Sequence, residues 1–139
     1  MPFTIDETGP ILRVDVTGTF TNRDLEELAE RADEVEARYE TVPHRVTDLR
    51  QVQRLEIDFE GVYALAVRRR ALHFPNRFKS AIIAVDLVAY GFARMFQTLN
   101  FHPQIVIALF PDDAEAMRWI AEPGLEMPSR AWVPSSLSA

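Results

Sequence analysis

The chain has 139 residues, 47% hydrophobic and 26% charged, with a formal net charge of −6 and no cysteine. It is too apolar for a disordered segment and too charged for a membrane-embedded one, and a chain of this length supports one core. No apolar run reaches the ~18 residues of a membrane span, the N-terminus lacks a basic-then-apolar leader, and without thiols there are no disulfides, thiolate metal sites or Cys nucleophiles. A cytoplasmic location is the expectation. The acidic balance argues against general nucleic-acid binding. Its distribution is uneven: residues 1–60 carry 15 acids and 7 bases, a net −8, and residues 61–139 carry 6 acids and 8 bases, a net +2.

Phe3–Glu7 and Ile11–Val16 read as two short strands joined by Thr8-Gly9-Pro10, a β-hairpin that Gly18 closes. Thr21 is the expected cap of the first helix, with Asp24 favoured by the helix dipole. Leu25, Leu28, Ala29, Ala32, Val35 and Tyr39 form its apolar face; Glu26, Glu27, Glu30, Asp33, Glu34 and Glu36 form its solvent face. A third strand is expected over Arg45–Leu49, followed by a loop through Gln51, Arg54 and Asp58. A second helix should run from about Asp58 to Phe74, before Pro75-Asn76. Ser80–Val85 and Ile105–Phe110 are continuous apolar runs, as in strands buried on both faces. Between them Val88, Phe92, Met95, Phe96 and Leu99 mark a third helix, with Tyr90 and Arg94 paired on its opposite side. Pro111-Asp112-Asp113 opens a fourth helix. The order ββαβαβαβα predicts a single α/β domain, residues 1–121, with a mixed, mostly parallel sheet and helices packed on it. Residues 122–139 read as an irregular tail docked through Trp132.

Asp48, Asp86 and Asp112 follow strands and Asp58 begins a helix. Acids at strand ends can hold Mg²⁺, but capping is the better account of Asp58, Asp86 and Asp112. His44, His73 and His102 sit at element boundaries without metal-type spacing. No Gly-x-Ser-x-Gly elbow or phosphate-binding glycine loop occurs. These observations predict no catalytic set, metal or cofactor. Arg68, Arg69 and Arg70 cannot share one narrow helix face. Arg70, His73 and Arg77 align better, with Lys79 beyond, and form a candidate anion-contact patch, although solvated surface is the simpler account.

Several segments in order resemble the STAS domains, in their SpoIIAA-like branch that also includes SEC14-like proteins. They are Val16-x-Gly18-x-Phe20-Thr21, Thr47-Asp48-Leu49-Arg50 and Ala81–Val85. Tyr90-Gly-x-Ala-Arg94-Met-Phe-Gln97 and Phe110-x-Asp-x-x-Glu-Ala-x-x-Trp119-Ile120 complete the set. The resemblance covers about residues 3–121 and implies the SpoIIAA-like fold. In the anti-anti-sigma members a Ser in Asp-Ser-Ser-Gly, at the start of a helix, is phosphorylated. Here Asp58-Phe59-Glu60-Gly61 takes that place, with Glu60 at the acceptor position. Glu60 therefore imitates the charged state or is an ordinary early-helix residue. The resemblance implies a non-enzymatic regulatory or protein-binding domain, with Asp58, Glu60 and Gly61 as candidate partner-binding residues. The alternative is a small hydrophobic-ligand or lipid carrier of SEC14-like type, which calls for an apolar cavity of about 300 Å³ beside the third helix. A metal-dependent hydrolase built on Asp48, Asp58 and Asp86 is the third reading. A homodimer through the Trp132 segment is a further expectation.

Overall fold

The computed structural model describes residues 1–135; residues 136–139 of the expected tail lie outside them. The elements are β1 (Phe3–Asp6), β2 (Leu12–Thr21), α1 (Asn22–Glu36), β3 (Arg45–Glu56), α2 (Phe59–Arg70), β4 (Phe78–Ile83), α3 (Leu87–Leu99), β5 (Ile105–Phe110) and α4 (Asp113–Ala121). This is the expected ββαβαβαβα order. One mixed sheet carries all five strands in chain order. β1 runs antiparallel to β2, and β2 to β5 are parallel.

Because strand side chains alternate, each apolar strand feeds two cores. Phe78 and Ile82 of β4 join Ile105, Ile107 and Leu109 of β5 under α3, with Val14, Val16 and Phe20 of β2 forming a second cluster on Leu25 and Leu28 of α1. Ala81, Ile83, Ala108 and Phe110 point the other way, against Ala116, Trp119 and Ile120 of α4. Each parallel crossover advances one place in one direction, so right-handed connections set α1, α2 and α3 on the same face. Among the described residues α4 covers the reverse face. Trp132 packs with the α3-side cluster across the start of that helix: its Nε1 donates to Ala84 O at 3.3 Å, and Tyr90 Oη donates to Trp132 O at 3.1 Å.

Several expectations need correction. The fourth strand, read as Ser80–Val85, spans Phe78–Ile83, because Phe78 and Lys79 pair with Ile105 and Val106 while Val85 is exposed beyond the sheet. Gly18 does not close β2. It lies inside the strand at φ 63°, where glycine is favoured, and the register with β3 shifts on either side of it. Correspondingly, β3 does not stop at Leu49 but continues to Glu56 beside the far end of β2. The two irregularities bring Leu49, Valine 52 (Val52) and Leu55 to the α1 side at a spacing of three, which conceals the strand's usual alternation. The second helix ends at Arg70 rather than Phe74. There Phe74 turns into the core, its backbone N–H and C=O bonded to the Gln104 side chain at 2.9 and 2.6 Å. Finally, α3 is rotated: Ala89, Tyr90 and Ala93 are its buried positions while Val88 is exposed. Arg94 bonds Gln97 and Thr98, not Tyr90.

Candidate functional site

At the start of α2 the chain is held from two sides. Asp58 is the N-cap, accepting from Gly61 N at 2.9 Å, and Asn22 at the start of α1 donates to the same carboxylate at 3.0 Å. Asn22 Oδ1 in turn accepts from Asp58 N at 3.3 Å. These hydrogen bonds hold the Asp58 carboxyl below its ordinary value, the one from Gly61 most of all. A Cβ on Gly61 would fall 2.7 Å from Asn22 Cγ, so the two helix starts approach as closely as a glycine permits. Asp58 and Gly61 thus build one local clamp, and Glu60 stands exposed in the first turn beside it.

The structure buries Val62 and Ala66 and leaves Phe59, Tyr63 and Val67 about half exposed, one residue per helical turn. The Phe59 and Tyr63 rings stack at 5.8 Å between centroids. Val85, Leu87 and Val88 at the start of α3 are exposed as well.

A second feature lies beneath the three helices. An apolar cavity of about 130 Å³, partly open to solvent, lies between the sheet and α1, α2 and α3, with Leu25, Leu55, Ile57, Leu65, Phe92 and Phe96 among its walls. Its lining also includes Arg45, Thr47, Arg69 and Ser80. Arg69 came from the basic run and Glu36 from the expected solvent face of α1, yet they are 4% and 3% exposed. Arg69 grips Glu36 through both Nη atoms at 2.6 and 2.9 Å and reaches Asp33 at 2.9 Å. Arg45 meets Glu36 Oε2 at 3.2 Å, and Arg68 pairs with Asp33 at 2.8 Å. Burial works against ionisation of Glu36, but Arg45 and Arg69 outweigh it and keep the carboxyl below its ordinary value. Burial also pulls the Arg45 guanidinium down to about 10. No simple periodicity flags such a pair, because each member looks like one more charge on a polar face.

The other titratable residues have structural partners. Asp86 and Asp112 cap α3 and α4. Asp48, 4% exposed, lies in a bridge system with Arg13 and Arg50, both of which also reach Asp113 on α4. Among the described residues no three His, Asp or Glu side chains gather to hold a metal; with Asp58 and Asp86 as separate caps, the hydrolase reading loses its basis. His44 Nδ1 accepts from Lys79 N, and His102 bridges Leu72 O and Gln104 N. Lys79 is no part of a basic patch: 1% exposed, it donates to the Trp119 and Glu122 carbonyls at the end of α4 at 2.6 and 2.9 Å. Arg70, His73 and Arg77 are exposed. Arg70 lies over the Phe101 ring, whereas Arg77 shares a surface depression with Arg94 that neither Arg70 nor His73 lines.

The sheet order and helix placement define a SpoIIAA-like α/β domain, the class that the sequence resemblance implied. An uncharacterized DUF3478-family protein with a SpoIIAA-like fold from Shewanella loihica PV-4 matches with a TM-score of 0.54 and 17% identity, over 86% of this chain and 92% of that one. The anti-sigma factor antagonist SpoIIAA in its unphosphorylated form matches with a TM-score of 0.49 and 14% identity, over 86% of this chain and 99% of that one. No family model matches the sequence, and neither does any curated protein. At 17% identity the likeness to the Shewanella protein is one of fold. Among the described residues no helix is long and apolar enough to cross a membrane.

Proposed function

We propose that the chain is a regulatory domain that works by binding a protein partner at the start of α2, without catalysis of its own. The observation that carries this reading is the exposed stripe of Phe59, Tyr63 and Val67 on a helix whose start is clamped. Exposed apolar side chains on a rigid support are what a partner surface offers before contact. Glu56, Asp58 and Glu60 border the stripe and are exposed, so the complementary partner face carries apolar side chains rimmed by basic ones. Glu60 supplies a constant negative charge there.

The test is site-specific photocrosslinking in source cells. A benzophenone side chain at position 63 should trap one partner, whereas the same group at the exposed Met117 of α4 should not. Capture should vanish in the Phe59→Ser and Glu60→Lys backgrounds. Equal capture from both positions, or capture insensitive to both substitutions, overturns the reading.

The cavity favours a second reading, a small-ligand carrier. At about 130 Å³ it falls short of the expected size and excludes a whole lipid, which restricts this reading to compact molecules. Trp132 packs on its own domain, while Met127 and Val133 of the same segment stay exposed.

A further inference from the structure

We propose that the cavity under α1, α2 and α3 is a binding site for a compact organic carboxylate, its apolar body against the helix walls and its carboxylate on Arg45. This deepens the small-ligand reading and rests on it.

Charge comes first. Arg45, Arg68 and Arg69 share two carboxylates, Asp33 and Glu36. The cluster therefore carries one excess positive charge. Glu36 is already held by two short bonds from Arg69, and Arg68 and Arg69 divide Asp33 between them. The surplus falls to Arg45. Of the five N–H donors on its guanidinium, a single 3.2 Å approach to Glu36 is its only ion pair among the described residues. Burial leaves that side chain 11% exposed, and it lines the cavity. The remaining Arg45 donors reach solvent rather than protein acceptors, and a largely buried cation of this kind is stabilised further by an anion that can take two parallel N–H bonds.

Polar surface near Arg45 supports the same chemistry. Ser80 lies directly opposite Arg45 in the β3–β4 register, so both side chains leave the sheet on the same face. Ser80 and Thr47 also line the cavity, and their hydroxyls can donate to a bound oxygen. Apart from Arg69, which Glu36 and Asp33 already hold, the remaining walls are aliphatic or aromatic. A cavity of comparable volume, about 150 Å³, accepts a benzene ring. A six-carbon ring is the upper limit of that volume, with one carboxylate reaching past the apolar walls to match the charge. A phosphate ester brings a second charge that the single surplus does not match.

Benzoate and its uncharged isostere benzamide are the probes, titrated into the full chain by calorimetry and followed by amide NMR shifts. Benzoate should bind one to one and shift residues of Leu65, Ala93 and Arg45, with benzamide weaker by about tenfold or more. Ala93→Phe, which fills the cavity, should abolish binding of both. Arg45→Met should equalise the two probes; if that variant fails to fold, the benzoate–benzamide ratio on the unaltered chain still decides. Equal affinities there overturn the role of Arg45 while leaving the small-ligand reading intact. Binding of neither probe, or binding that persists in Ala93→Phe, overturns the cavity site itself.

Discussion

Glu36→Gln tests the buried charge cluster most directly. Glu36 accepts two hydrogen bonds from Arg69 and faces Arg45 at 3.2 Å. The amide keeps one acceptor but turns an N–H₂ group toward guanidinium donors, and it removes the charge that compensates two buried cations. Loss of one partner from a buried pair costs about 3–5 kcal/mol. For a domain of this size that lowers Tm by roughly 10 °C and moves the urea midpoint by about 2 M at unchanged slope. Because the folded-state carboxyl is depressed below its ordinary 4.5, its contribution is present above that value and disappears as pH falls through the folded value. Urea titrations at pH 7 and at several values below 4.5 should therefore show the gap between parent and variant narrowing in acid. Replacing both residues, Glu36→Met with Arg69→Met, should recover at least about 2 kcal/mol relative to Glu36→Met alone. A gap under about 1 kcal/mol at neutral pH, or one that stays constant into acid, refutes the argument.

Gly61→Ala should destabilise the domain, because its Cβ displaces the Asn22 side chain and breaks the bonds to Asp58. In an Asn22→Gly background the same change should become stabilising by about 0.5 kcal/mol, the helix preference of Ala asserting itself; additive effects in thermal melts would count against the clamp. Lys79→Met should cost about 2 kcal/mol by leaving the Trp119 and Glu122 carbonyls without their donor. It should also speed proteolysis after Ala121, and an unchanged urea midpoint would show that these carbonyls find other partners. Asp48→Asn should weaken the link between the sheet and α4. Arg50 and Arg13 hold the Asp48 carboxyl low against the opposing effect of burial, so this loss should be full at neutral pH and fade as acid protonates the parent. A loss that persists unchanged in acid would refute that assignment.

Where one residue type has one local job, the sequence was readable. Thr21 is the expected cap of α1, Pro111-Asp112-Asp113 opens α4 with Asp112 as cap, and Ile105–Phe110 has the bounds read from its apolar run. What escaped depends on partners far along the chain. The extension of β3 is hydrophilic and draws its strand form from pairing with β2 across two irregularities. Glu36 and Arg69 are 33 residues apart and become a core pair only when α1 and α2 pack. Asp58 and Gly61 could be placed at a helix start, but not Asn22 beside them. Tyr90 is buried because Trp132 reaches back over α3. A helical wheel contains no information about a tail.

Strand order equal to chain order has a kinetic consequence. Each strand after the first pairs with the one synthesised just before it. Sheet growth therefore needs only the closure of short crossovers, and no strand must be inserted between two already paired. Assembly can follow the chain from its N-terminus as it emerges during synthesis. β5 is the last strand added, and α4 then seals the reverse face with Lys79 of β4 waiting to bind its final carbonyls. A buried lysine of β4 thus ties the last helix to the sheet.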